Sequence, residues 1–124
     1  MNTFVNIFEF TKFRKFLTEY QERRQAAEPS FSRTEFCNLL GLPNTRSYFN
    51  DVVQGKRVTD NMRERFINVI GLKGNEARYF EAMVDFDQGK TAQVREAAFD
   101  AMMRLNKNPQ AIVDPDSYEF FGNW

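Results

Sequence analysis

Apolar residues recur along this chain at spacings of three and four and never in a sustained alternation of two, so the pattern predicts helices and no strands. A first helix is expected from about Thr11 to Gln25, with Phe13, Phe16, Leu17 and Tyr20 as its apolar stripe. Lys12, Lys15, Glu19, Glu22 and Arg23 take the other side. Thr11 is the expected N-cap, Phe8 packs on the first turn as a hydrophobic staple, and Pro29 marks the break that follows. Ser32 with Glu35 three residues on is a capping box opening a second helix. Phe36, Cys37, Leu39 and Leu40 form its buried face, and Gly41 is its left-handed terminal residue. The turn Leu42-Pro43-Asn44 leads to a third helix from Asn44 or Thr45 to about Val53, with Tyr48 or Phe49, Val52 and Val53 inward.

Thr59 or Asp60 caps a fourth helix, with Met62, Phe66, Ile67, Val69 and Ile70 inward and Gly71 at its end. A fifth covers about Asn75 to Phe86, and Gly89 breaks the chain after it. Thr91 caps a sixth, which runs to about Asn106 through Val94, Ala98, Met102 and Leu105. Asp114-Pro115 reads as an N-cap followed by proline at the first helical position, beginning a last short turn. The expected fold is all-α with about six helices. Residues 1–110 form one helical domain with its core at 30–74; residues 111–124 are a tail or the start of a second helical domain. Phe8, Phe10, Tyr118, Phe120, Phe121 and Trp124 are expected to fold back on the fifth and sixth helices, or to meet another subunit or a further domain.

Composition narrows the chemistry. Phenylalanine occurs 14 times, mostly at helical spacing, which assigns it to core packing. The single cysteine, Cys37, excludes an internal disulfide and suits the cytoplasm. No apolar run approaches the roughly 18 residues of a membrane span, and no signal-peptide pattern opens the chain. Histidine is absent, the carboxylates are scattered, and there is no Gly-rich phosphate loop or zinc-ligand spacing, so neither an enzyme, a cofactor nor a metal is expected. Net charge is zero, yet Met1–Gly74 holds 12 Lys and Arg against 8 Asp and Glu, while Asn75–Trp124 holds 5 against 9. A basic front and an acidic back suit a nucleic-acid face beside a partner face.

The informative stretch is Ser32 to Leu72. Two short helices meeting at a glycine, with a small residue (Cys37) where they cross, make a helix-turn-helix. Its third helix presents polar residues to the major groove, so Asn44, Thr45, Arg46, Ser47 and Asn50 are candidate base contacts. Asp51 is exposed beside them. Ser32 and Arg33 at the start of the second helix, with Lys56, Arg57 and Thr59 at the Gly55 corner, are candidate phosphate contacts: charges, exposed N–H groups and hydroxyls together.

Ser32, Phe36-Cys37, Gly41-Leu42, Phe49 with Val52, Gly55-Lys56-Arg57 and Ile67 to Leu72 resemble the helix-turn-helix of the lambda-Cro and Xre repressor superfamily. Two departures are visible. Arg33 stands where glutamine usually meets phosphate, and the stretch from Gly41 to Phe49 is about two residues longer than the pattern. Over nearly the whole chain a second resemblance runs through Ile7-Phe8-Glu9-Phe10, Phe13-Arg14-Lys15-Phe16-Leu17, Ser30-Phe31-Ser32, Gly55-Lys56-Arg57, Glu76-Ala77 with Tyr79-Phe80, and Tyr118-Glu119-Phe120-Phe121 to Trp124. In these the chain is similar to the amino-terminal part of the Fibrobacter succinogenes-type paralogous family of regulators. Members usually continue into a second helical domain, so the resemblance implies a piece of a longer chain or a short member. The implied fold is a phage-repressor-like bundle with extra flanking helices. The implied function is sequence-specific DNA binding by a bacterial transcription regulator, with double-stranded DNA, a second copy of the chain and a carboxy-terminal domain or protein as partners, and no membrane. The rival is a helix-turn-helix scaffold used as a protein-interaction module. Zero net charge and the many aromatics favour it; Arg46, Lys56 and Arg57 count against it.

Overall fold

The computed structural model describes residues 4–114, and all its regular structure is helical. The six α-helices are α1 (Phe13–Ala27), α2 (Arg33–Leu39), α3 (Tyr48–Val53), α4 (Asp60–Ile70), α5 (Asn75–Gln88) and α6 (Ala92–Leu105). Short 3₁₀ turns occupy Ile7–Glu9 and Pro109–Ala111. Among the described residues no strand occurs, and no helix is long and apolar enough to cross a membrane. Tyr118, Phe120, Phe121 and Trp124, and the helical turn expected after Asp114-Pro115, lie outside the described residues. The chain divides into two compact units, residues 1–5 with 14–72 and residues 6–13 with 73–124.

The first unit is built on aromatic rings. Phe36 of α2 is its hub, with ring centroids 4.9 Å from Phe31, 5.1 Å from Phe49, 5.7 Å from Phe66 and 6.1 Å from Tyr20. Such pairs contribute roughly 0.5–1.5 kcal/mol each beyond area burial, so this cluster fixes how α1, α2, α3 and α4 meet. The local signals place the helix ends. The Ser32 hydroxyl accepts from the Glu35 N–H at 3.1 Å to start α2, and the Thr59 hydroxyl accepts from the Met62 N–H at 3.2 Å to start α4. Gly41, at φ +86°, ends α2 in a Schellman arrangement: its own N–H bonds the Asn38 carbonyl and the Leu42 N–H bonds that of Cys37.

The second unit is a helical hairpin, α5 and α6, joined by Gly89-Lys90-Thr91. Gly89 sits there for want of room: a Cβ would lie 2.7 Å from the Asp85 carbonyl oxygen and 2.8 Å from a Val94 methyl. Residues 6–13 are clamped onto this unit. Phe8 stacks edge-on to Tyr79 at 4.9 Å, Phe13 meets Phe80 at 6.2 Å, and the Tyr79 hydroxyl donates to the Phe10 carbonyl at 2.6 Å. Two of the terminal aromatics expected to fold back, Phe8 and Phe10, therefore do so.

Four expectations need correction. Helix α1 begins at Phe13, so Thr11 is not its N-cap; the Thr11 N–H and hydroxyl both donate to the Asp114 carboxylate, at 2.7 and 3.0 Å. Phe8 is not a staple on α1, because its ring is taken by Tyr79. Leu39 is 47% exposed: α2 buries Phe36 and Cys37, its C-cap Leu40 is buried after them, and at about 100° per residue Leu39 lies about 200° from Cys37. Val94, in the first turn of α6, is likewise exposed, away from the buried Ala98 and Met102.

Candidate nucleic-acid interface

The candidate residues all belong to the first unit, which carries ten Lys and Arg against seven Asp and Glu. Its α2–α3 pair is held together by the Phe36–Phe49 contact and by buried Leu40, with Leu42 half-buried beside them. Helix α3 is shorter than expected. Asn44, Thr45, Arg46 and Ser47 precede it in a loop of turns, where the Thr45 N–H bonds the Leu42 carbonyl and the Tyr48 N–H bonds the Thr45 carbonyl, each at 3.1 Å. The reason is chemical. Asn, Thr and Ser compete with the helix for backbone bonds, and the extra length after Gly41 is taken up as turn. The loop is pinned from below by the buried Cys37 thiol, 3.7 Å from the Arg46 carbonyl. All four side chains are exposed, as is Asn50 on α3 itself.

Arg33 and Asn50, given different roles by the sequence, are brought together. An Arg33 Nη1–H donates to Asn50 Oδ1 at 2.6 Å, and the guanidinium carbon lies 5.0 Å from the centre of the Phe49 ring. The hydroxyl oxygens of Ser32 and Thr59 already accept backbone N–H groups, which leaves each its own O–H to donate outward. Lys56 and Arg57 are exposed at the corner after α3, and that corner is braced. The Lys56 N–H bonds the Asp51 carbonyl at 2.9 Å, and the Arg14 guanidinium donates to the Val52 carbonyl and, at 2.7 Å, to the Lys56 carbonyl. The Ser47 hydroxyl is 3.4 Å from the Asp51 carboxylate, across the first turn of α3.

Two residues that sequence reasoning passed over support this surface. Arg14 braces the corner, and its one visible hint was its place one turn before Leu17 and Thr18, at the edge of the apolar stripe. Arg65 on α4 donates to the Leu40 carbonyl at 3.0 Å and is oriented by Asn61 at 2.9 Å; nothing in its spacing signals that reach. Comparison of the chain with models of known protein families, with curated proteins and with solved structures returned no match.

Proposed function

We propose that the chain is a sequence-specific DNA-binding transcription regulator, or the amino-terminal DNA-reading domain of one, of the lambda-Cro and Xre helix-turn-helix kind and akin to the Fibrobacter succinogenes-type paralogous regulators. One observation carries this reading: a ring-locked helix pair whose exposed edge offers Arg46, Asn50, Lys56 and Arg57 on braced backbone, in the more basic of two units. Arg46 and Asn50, with Asn44, Thr45 and Ser47, meet base edges; Ser32, Arg33, Lys56, Arg57 and Thr59 hold phosphates on either side. The setting is a bacterial cytoplasm. A second copy of the chain, on a neighbouring half-site, raises affinity without a new contact.

Fluorescence anisotropy on duplex promoter DNA across a salt series tests the proposal. Affinity should fall steeply with salt. Changing Lys56 and Arg57 together to Ala should weaken binding to all sequences alike and lower the log–log salt slope by about two. Binding that ignores both salt and this double change would leave the protein-interaction module in its place.

A further inference from the structure

We propose that Arg33 and Asn50 act as one hydrogen-bond-donating unit that selects guanine in the major groove. The inference rests on the DNA-binding reading above and deepens it by naming the base. Three observations combine. The Arg33 Nη1–H donates to Asn50 Oδ1 at 2.6 Å, the Arg33 guanidinium lies 5.0 Å over the Phe49 ring, and that ring is fully buried against Phe36. Phe49 is therefore a fixed floor under the guanidinium, and the bond to Asn50 sets the direction of the fork.

The consequence follows from counting donors and acceptors. A guanidinium has five N–H groups and no acceptor, so one is spent on Asn50 and four remain. An asparagine that reads adenine needs both halves of its amide, accepting from N6 and donating to N7. In Asn50 one of the two lone pairs of the carbonyl oxygen is engaged by a charged donor, the strongest class of partner available to it, while both N–H groups of its exposed amide remain to offer. Arg33 and Asn50 together then present six N–H donors against one remaining lone pair, a predominantly donating surface. Guanine, whose major-groove edge offers two acceptors, O6 and N7, matches such a unit; adenine, whose N6 amino group needs an acceptor, does not. Arg33 thus becomes a positioning and base-selecting residue in addition to a holder of phosphate.

Selection of duplexes from a randomised pool by the full chain, followed by anisotropy titration of the winning duplex, tests this. The wild-type chain should enrich guanine at one fixed position. Replacing that guanine by adenine or by 7-deazaguanine should lower affinity about tenfold or more. Arg33→Lys keeps the charge but lacks the planar fork, so the salt dependence should persist while the guanine preference disappears. Asn50→Ala should relax the same position. The 7-deazaguanine comparison uses the unaltered protein, so it stands whatever the variants do to folding. Adenine at the position that Asn50→Ala relaxes, or an Arg33→Lys variant that selects the same sequence as wild type, would overturn the proposal and leave DNA binding intact. Absence of salt-dependent duplex binding by the wild-type chain would overturn the DNA-binding reading and the proposal with it.

Discussion

Arg65 closes the C-terminal end of α2 by donating to the Leu40 carbonyl at 3.0 Å, from a position 25 residues further along the chain. The next residue, Gly41, has φ +86°, and a Cβ there would lie 2.9 Å from the same Arg65 nitrogen. Gly41→Ala should cost about 1–2 kcal/mol from the left-handed backbone alone. Displacement of Arg65 adds to this. With Arg65→Ala already in place that second part vanishes, so the double variant should lose less than the sum of the singles. Urea denaturation of the four proteins measures it.

Phe36 touches four other rings and is fully buried. Phe36→Ala should destabilise by about 3–5 kcal/mol, more than truncating any one of its partners, because the cavity opens where three helices and the Phe31 loop converge. The same denaturation series decides this.

Tyr48 presents the opposite case. Its ring is stacked on Phe66 at 6.3 Å, but its buried hydroxyl has no hydrogen-bond partner among the described residues. Burial raises its pKa, with Cys37 adding and Arg14 and Arg65 opposing, so the group stays a neutral, unsatisfied phenol. Tyr48→Phe should leave stability unchanged or raise it by up to about 1 kcal/mol. A clear loss in the thermal midpoint would contradict this.

Alkaline pH should weaken the second unit. Burial raises the pKa of Tyr79 well above its ordinary value of 10.0; the Asn106 hydrogen bond opposes the rise and the Asp114 charge adds to it. The folded state therefore keeps this proton after the unfolded chain has lost it. Stability from Tyr79 is complete below about pH 10 and declines as the pH climbs further toward the folded-state value. Tyr79→Phe should flatten that decline, while costing about 1–3 kcal/mol at neutral pH by stranding the Phe10 carbonyl. Denaturation midpoints from about pH 8 to about pH 11 show both effects.

Arg46→Ala bears on base reading. If its exposed side chain makes a bidentate base contact, the change should cost about 1–3 kcal/mol of affinity for the preferred duplex and narrow the gap to a scrambled one. Equal losses on both duplexes would make Arg46 a phosphate contact.

Three helix starts were legible because their signal was local, while the Thr11 signal misled because a distant carboxylate takes that residue. Ser32, Thr59 and Thr91 each cap through a bond to an N–H three residues on, a distance a sequence pattern can see. The start of α3 was not, because Asn44 to Ser47 suit a helix terminus and a turn equally well, and tertiary placement of Tyr48 and Phe49 decides. Arg14, Arg65 and Asp114 were invisible as braces for another reason. Each acts across tens of residues, and a polar side chain on a helix edge or in a loop carries no mark of its distant partner. The candidate surface was readable as a set of residue types; the pairing of Arg33 with Asn50 was not, since it depends on the angle at which two short helices cross.

The clamp on residues 6–13 has a consequence for the order in which the protein is made. As the chain leaves a ribosome, Phe10 emerges 69 residues before the tyrosine that hydrogen-bonds its carbonyl, and Thr11 emerges 103 residues before Asp114. Residues 14–72 of the first unit are synthesised during that wait, so that unit has the opportunity to assemble while Ile7, Phe8, Phe10 and Phe13 still lack the helices they pack on. The nascent protein therefore carries an exposed, aromatic stretch until Tyr79 and Asp114 have emerged, a foothold for a chaperone.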